Sequence, residues 1–339
     1  MTRWTTAEVN AWYAKNAWPV GANFIPSNAV NQLEMWQADT FDLPRIKREL
    51  GWAAAIGMNT MRVYLHDLLW DADQGGFTSR INLYLETAIA LGIRSIFCIF
   101  DDCWNAGAFL GKQPAPKPGI HNSGWLQSPG LPIVNDPAEW PRLERYVKQL
   151  MTDFADDERI LLWDLYNEPG NNGNGDASLP LVAAIFDWAQ AVRPSQPLTV
   201  GLWSDNTLLN SFQLLHSDVI TFHNYESASR LREQIVMLKK YDRPLICTEW
   251  LRRSPGFFDD GVQRHTEHSE VPTCLPVFKE EGVGCISWGL VAGKTNTIYA
   301  WGKPGGDSEP PVWFHDLFRP DGMPYHDSET SLFKQLSRD

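Results

Sequence analysis

Arg159-Ile160-Leu161-Leu162-Trp163-Asp164-Leu165-Tyr166 runs directly into Asn167-Glu168-Pro169. Branched and aromatic side chains favour a strand here, and the near-continuous apolarity marks one buried on both faces. The end is abrupt, with an amide, a carboxylate and a proline in succession. Leu245-Ile246-Cys247-Thr248-Glu249-Trp250 repeats the device, its glutamate 81 positions after Glu168. Acids so far apart are not neighbours on one helix. A buried strand that stops on an acid, twice, suggests two acids held at one rim of a closed sheet. Paired carboxylates at such a rim are what glycosidic bond cleavage needs, one to protonate the leaving oxygen and one to attack or to activate water. Either glutamate alone reads as readily as a polar residue closing a strand.

Working outward, strand-like and helix-like segments alternate. Strands are predicted at 20–25, 59–65, 93–100, 159–166, 197–202, 218–223, 244–249 and 283–289. Helical periodicity fills Leu43 to Ile56, Arg80 to Leu91, Pro137 to Phe154, Leu179 to Val192 and Ser227 to Lys240, with Gly51 and Gly92 read as helix ends. Eight such alternations without a second zone of composition predict an α/β fold, a single (β/α)8 barrel domain spanning 1–339. An open doubly wound sheet is the alternative, but Gly21-Ala22-Asn23 supplies no glycine-rich phosphate fingerprint. The Pro/Gly-rich stretch 107–135 and the stretch 291–325 are long for connections in a compact domain. They read as functional βα loops after the third and eighth strands.

Composition narrows the function classes. A net charge of −12 argues against nucleic-acid and anionic-membrane partners, which recruit Lys and Arg. The 16 tryptophans stand out; some belong to a core, and the residue type also suits stacking on sugar faces. Of the five cysteines, Cys98, Cys247 and Cys285 lie in strand-like runs; with no CxxC pair they read as buried thiols, not disulfides or a zinc site. Residues 1–8 lack an apolar h-region, so the chain as written is expected to be cytoplasmic, a removed signal peptide being the other possibility. Oligomeric state is not legible.

The chemistry of a barrel sits at the C-terminal strand ends. In order these ends carry Asn23, His66, Asp101 with Asp102, Asn167 with Glu168, Trp203, His223 with Tyr225, Glu249 and Trp288. Acids, amides, imidazoles and aromatic rings on one rim suit a polyhydroxylated ligand. Arg62, inside the second strand, is placed to pair with a carboxylate and hold it ionised. His66 is read as a sugar hydroxyl contact, since no second His stands at ligand spacing on its strand. His265-Thr266-Glu267-His268 reads as a solvated face in preference to a metal site. Asp101-Asp102 fit a sugar contact or a helix cap equally. Among loop tryptophans, Trp36, Trp104, Trp125, Trp301 and Trp313, about half are expected to line the cleft.

Asn167-Glu168-Pro169 ending the fourth strand and Glu249 ending the seventh resemble the retaining glycoside hydrolases of clan A, and within them the cellulase-like family 5. Arg62, His223, Tyr225 and Trp288 fit the same pattern, over roughly residues 18–290. The resemblance implies a cofactor-free, metal-free double displacement on a carbohydrate. Glu168 would be the acid/base and Glu249 the nucleophile. Asn167 would bind the sugar 2-hydroxyl, Arg62 and Tyr225 would orient and ionise Glu249, His223 would contact substrate, and Trp288 would floor the sugar site. Asp101-Asp102 stand where the family usually carries a His; Asp102 is read as a substrate contact. Glu168 is expected to titrate high and Glu249 low. The long loops favour short oligosaccharides or glycosides. The alternatives are endo cutting of polysaccharide, as in cellulases and mannanases, and a metal-dependent barrel hydrolase using His66, Asp102 and His223.

Overall fold

A computed structural model describes residues 3–257, 263–265, 268–302, 306 and 308–338. The eight barrel strands are β1 (Val20–Asn23), β2 (Thr60–Tyr64), β3 (Arg94–Asp101), β4 (Ile160–Asn167), β5 (Leu198–Thr199), β6 (Ile220–His223), β7 (Leu245–Glu249) and β8 (Gly284–Ser287). They are hydrogen-bonded in the order β5-β4-β3-β2-β1-β8-β7-β6, every pair parallel. The ring is closed between β5 and β6 by one bridge, Leu202 with Phe222, in which Leu202 N donates to Thr221 O (2.9 Å) and His223 N to Leu202 O (2.8 Å). This is the expected (β/α)8 barrel. Its shortest strand, β5, has two residues where six were predicted, because only Trp163 and Asp164 offer it a register.

Helix α1 (Thr6–Lys15) precedes the barrel and seals its lower end. A reciprocal cap between Thr5 and Glu8 starts it. Val9, Trp12 and Tyr13 of α1, with Trp4 before it, pack on Ile96, Leu162, Val219, Ile246 and Ile286. Apolar side chains therefore fill the bottom, and titratable groups are left for the upper layer.

Outside the strands lie α2 (Gln32–Trp36), α3 (Leu43–Ala55), α4 (Asp67–Ile89), α5 (Leu131–Val134), α6 (Trp140–Asp153), α7 (Leu179–Val192), α8 (Thr207–His216), α9 (Ala228–Leu238) and α10 (Val271–Glu281), with α11 (Asp327–Leu336) closing the chain. Gly51 lies within α3 and ends nothing; the turn after that helix uses Gly57, at φ 87°. Gly92, at φ 75°, does follow α4 as expected. Helix α4 begins 13 residues before the predicted Arg80, because His66 caps it directly after β2 and a break at Asp73 splits its periodicity. The prolines of α10, Pro272 and Pro276, masked a helix from pattern reading. Among the described residues no helix is long and apolar enough to cross a membrane.

The two long loops are built against each other. Asn122 N donates to Thr295 O (2.7 Å), Asn296 Nδ2 to Lys117 O (2.8 Å), and His121 Nδ1 meets Tyr299 O (2.8 Å). The loop after β1 joins them: Asn31 Nδ2 donates to Gly124 O (2.9 Å) and Lys294 Nζ pairs with Glu34 (2.6 Å). Together they raise a wall on the β1, β2 and β8 side of the rim.

Candidate active site

Glu249, last residue of β7, is held from β2 and from the loop after β6. Its Oε1 accepts from Arg62 Nη1 (2.9 Å) and Tyr64 Oη (3.0 Å), and its Oε2 from Tyr225 Oη (2.8 Å). Burial, and then the Glu249 charge, push the Tyr225 phenol well above its ordinary range, so it remains a donor. Arg62 is wholly buried on β2 and reaches upward as expected. Its other contacts are to Asn23 Oδ1 (2.9 Å), Asn167 Oδ1 (2.7 Å) and Asp164 Oδ2 (2.8 Å from Nη2, 2.9 Å from Nε), with Tyr64 Oη also against Nη1. One guanidinium thus serves two carboxylates. Asp164, within the apolar run of β4, is a fully buried inward residue whose Oδ1 has no partner among the described residues.

Glu168 follows β4 with a left-handed backbone, φ 45°, a conformation that costs about 1–3 kcal/mol and clusters at functional sites. Its Oε1 lies 2.7 Å from His223 Nδ1, while Oε2 accepts from Asn171 Nδ2 (2.6 Å) and the Cys103 thiol (3.1 Å). Burial pushes this carboxyl up, but the His223 hydrogen bond and charge, with the Cys103 and Asn171 donors, outweigh it and leave Glu168 below the usual glutamate range. The expected upward shift is therefore reversed, because a histidine 55 positions away in sequence sits against the acid. His223 moves the other way: burial lowers it, and the charge of Glu249 and the contact with Glu168 raise it above the usual imidazole value. The same Nδ1 lies 3.5 Å from Glu249 Oε2. One oxygen from each glutamate and a ring nitrogen of His223 fall within 4.8 Å of one another.

Asn167 is fixed by Arg62 on its oxygen and by Asp101 Oδ1 on its amide nitrogen (3.0 Å), and Asp101 Oδ2 also accepts from Trp125 Nε1 (2.7 Å). Burial pushes Asp101 up to about 7 against these donors. Trp288, on the loop after β8, packs edge to face with Tyr64 (5.9 Å) and Trp125 (5.6 Å). Trp301 sets its edge on Tyr225 (4.8 Å), and Trp104 stacks on His121 (5.3 Å). Trp36 and Trp313 are instead core residues, fully enclosed.

Two residues expected as substrate contacts are engaged by the protein itself. Asp102 has both oxygens committed to the protein: Oδ1 to Tyr166 Oη (2.6 Å), Oδ2 to Ser178 Oγ (2.6 Å) and Gly170 N (2.8 Å). It ties down the loop after β4. His66 is wholly buried, its Nδ1 accepting from Leu68 N (3.3 Å) as the cap of α4. Neither joins His223, so the His66, Asp102 and His223 triad of the metal-dependent alternative is not assembled. Among the described residues the group of potential metal donors is Glu168, His223 and Glu249. Thr266 and Glu267 lie outside the described residues, and with them the His265–His268 reading. Asn23, Tyr64, Cys103 and Asp164 are the participants sequence reasoning missed or left without a role. Tyr64 and Asp164 were legible in principle, at even spacing from Arg62 and Leu162 on their strands.

A parallel barrel with two opposed glutamates at its C-terminal rim, one paired with arginine and one with histidine, defines the clan A type of glycosidase architecture. Residues 47–293 match the sequence model of Cellulase (glycosyl hydrolase family 5). The chain belongs to this family, and so to the retaining glycoside hydrolases. No curated protein matches the sequence. Similar solved structures include an exo-β-1,4-mannosidase from an Opitutaceae bacterium, with TM-score 0.64 and 18% identity over 95% of this chain and 59% of that one. This chain thus spans under two thirds of that protein. A GH5_18 protein from Streptomyces cattleya in complex with Manβ1-4GlcNAc gives TM-score 0.62 and 12% identity, covering 95% and 81% of the two chains. An endo-β-1,4-mannanase from Thermotoga petrophila gives TM-score 0.60 and 14% identity, covering 96% and 77%. At these identities the likeness is one of fold.

Proposed function

We propose that this chain hydrolyses β-glycosidic bonds of short oligosaccharides or glycosides by double displacement, with Glu249 as nucleophile and Glu168 as acid/base. The observation carrying this reading is the convergence of one oxygen from each glutamate and His223 Nδ1 within 4.8 Å. That spacing suits direct attack; inverting enzymes hold their carboxyls about 6.5–9.5 Å apart to admit water. Glu249, fixed by Arg62, Tyr64 and Tyr225, attacks the anomeric carbon while Glu168 protonates the departing oxygen. The glycosyl–Glu249 ester is then hydrolysed by a water that ionised Glu168 deprotonates, and the configuration is retained.

The proton for the first step is held jointly. His223 above its usual range and Glu168 below it make a pair with one proton, which moves onto Glu168 Oε1 as the leaving oxygen takes it. No step calls for a metal or an organic cofactor. The wall of loops after β1, β3 and β8 supports action near a chain end. The similar structures above act on or bind β-linked mannosides, so β-mannosides head the substrate panel.

The test is Glu168→Gln and Glu249→Gln, each expected to fold and to lose at least about 1000-fold in kcat/KM on an unactivated glycoside, as for groups acting in the transition state. Retention of more than about a tenth of wild-type kcat/KM by either variant would overturn its assigned role.

A further inference from the structure

Next to Tyr64, a partner of Glu249, the site floor opens into a narrow recess of about 20 Å³, room for one water-sized group. Tyr64, Trp125 and Trp288 wall it with aromatic rings, and Thr295, Thr297 and Asp316 from the loop after β8 supply polar groups. Tyr64 belongs to both places, since its hydroxyl donates to Glu249 Oε1. The recess lies by β1, β2 and β8, whereas Glu168 stands across the rim on β4. A sugar with its anomeric carbon at Glu249 and its leaving group at Glu168 therefore turns its far edge toward the recess.

Asp316 is unusual there on three counts. It is 1% exposed, yet only Oδ2 has a partner, the Thr297 hydroxyl at 2.6 Å; among the described residues Oδ1 has none. Its backbone is left-handed, φ 64°, which an aspartate tolerates at a cost. And the chain keeps space for Oδ1: a Cβ on Gly289, itself at φ 84°, would lie 2.2 Å from that atom. The backbone is clamped from behind, where Arg253 Nη2 donates to Asp316 O (2.8 Å) and pairs with buried Glu329 (2.6 Å). Burial pushes the carboxyl up to about 7. A buried, half-satisfied acid costs stability unless something completes it.

We infer that Asp316 is a specificity-determining residue, whose Oδ1 hydrogen-bonds one hydroxyl on the far edge of the sugar that Glu249 attacks. The ligand chemistry is a neutral hydroxyl or hydroxymethyl group. The aromatic walls suit the C–H face of a pyranose, the threonine hydroxyls are neutral, and Arg253 behind the acid disfavours an ammonium group. The recess admits only part of a sugar, so it reads a substituent and not a further ring. This rests on the roles proposed for Glu168 and Glu249.

The experiment measures kcat/KM of wild type, Asp316→Asn and Asp316→Ala on nitrophenyl β-D-mannoside and β-D-glucoside and on their 2-, 3-, 4- and 6-deoxy analogues. Asparagine accepts the left-handed backbone, so Asp316→Asn carries the result if the alanine variant unfolds in a urea titration. For wild type, one deoxy position is expected to cost about 10- to 100-fold, the worth of a hydrogen bond to a charged group. In the Asp316 variants that same position is expected to cost under about threefold, while the other positions keep their wild-type penalties. If every position keeps its wild-type penalty, or the variants lose activity uniformly on all analogues, the inference is overturned. Glu249→Gln run alongside separates the two failures. An active Glu249→Gln enzyme sinks the assigned chemistry, whereas an inactive one with indifferent Asp316 variants sinks only the role of Asp316.

Discussion

Replacing Arg62 with methionine separates what this residue does for the fold from what it does for the site. Asp164 is wholly buried and takes both its side-chain hydrogen bonds from Arg62, at 2.8 and 2.9 Å. Arg62→Met leaves Asp164 enclosed without them, and leaves Glu249 without its cation. Stranding one member of a buried ion pair costs about 3–5 kcal/mol, so the variant is expected to lose that much unfolding free energy near pH 7. The loss depends on pH. Burial already raises Asp164 above its ordinary value, and Arg62 is what opposes it. Without Arg62 the folded-state pKa rises further above the unfolded one, so the folded state binds the extra proton. Stability relative to wild type then falls as pH climbs from the wild-type folded pKa, already above the usual carboxylate value, toward that of the variant, by up to about 1.4 kcal/mol per unit. Urea unfolding at pH 4.5, 5.5, 6.5 and 7.5 measures it. Arg62→Met/Asp164→Leu is expected to recover most of the stability and none of the activity, because Glu249 still lacks its cation. A single variant within about 1 kcal/mol of wild type at pH 7, or a double variant no more stable than the single, would refute the reasoning.

The Glu168–His223 pair sets the basic limb of the kcat/KM profile, because the proton it shares is lost as pH rises. His223→Gln leaves that proton on a carboxylic acid alone and should move the limb to lower pH, whereas an unmoved limb would exclude His223 from holding it. Proton NMR of the first-formed sugar is expected to show the β-anomer, and an initial α-anomer would mean inversion. On a disaccharide series against soluble β-glucan, xylan and mannan, the loop wall predicts preference for the short substrates. A rapid fall in polymer viscosity with little monosaccharide would indicate an open groove instead.

The barrel was legible because its strands are short apolar runs, and a run buried on both faces needs no knowledge of its neighbours. Glu249 and Arg62 were legible for the same reason, since a charge inside such a run demands a partner. What the sequence could not order was the second layer of contacts. Asp101 and Asp102 are adjacent at the end of β3, and adjacent side chains there diverge. Asp101 turns to Asn167 and Trp125, Asp102 to Tyr166 and Ser178. Nothing local says which of two identical acids faces the ligand. The titration of Glu168 was misjudged because its decisive neighbour arrives from β6. Trp36 and Trp125 both follow barrel strands, yet one is swallowed by Phe41, Phe77 and Tyr84 and the other walls the site.

The closure of the ring has a mechanical consequence. Between β3 and β4 the strands share six paired positions, but β5 and β6 share one bridged pair at Leu202, backed by Asp218 N on Leu198 O (2.8 Å) and by the Thr199 hydroxyl against Val219 O (2.9 Å) and Thr221 Oγ1 (2.8 Å). This clasp is thinner than the β3–β4 seam, and local opening favours the thinner seam of the two. His223 is stitched to that clasp through its own backbone amide, while Glu168 is anchored beyond the thickly laced β3 and β4. Slackening of the clasp therefore shifts the imidazole against Glu168 together with Glu249, whose strand is paired with β6 at His223, while Arg62 keeps its place on β2.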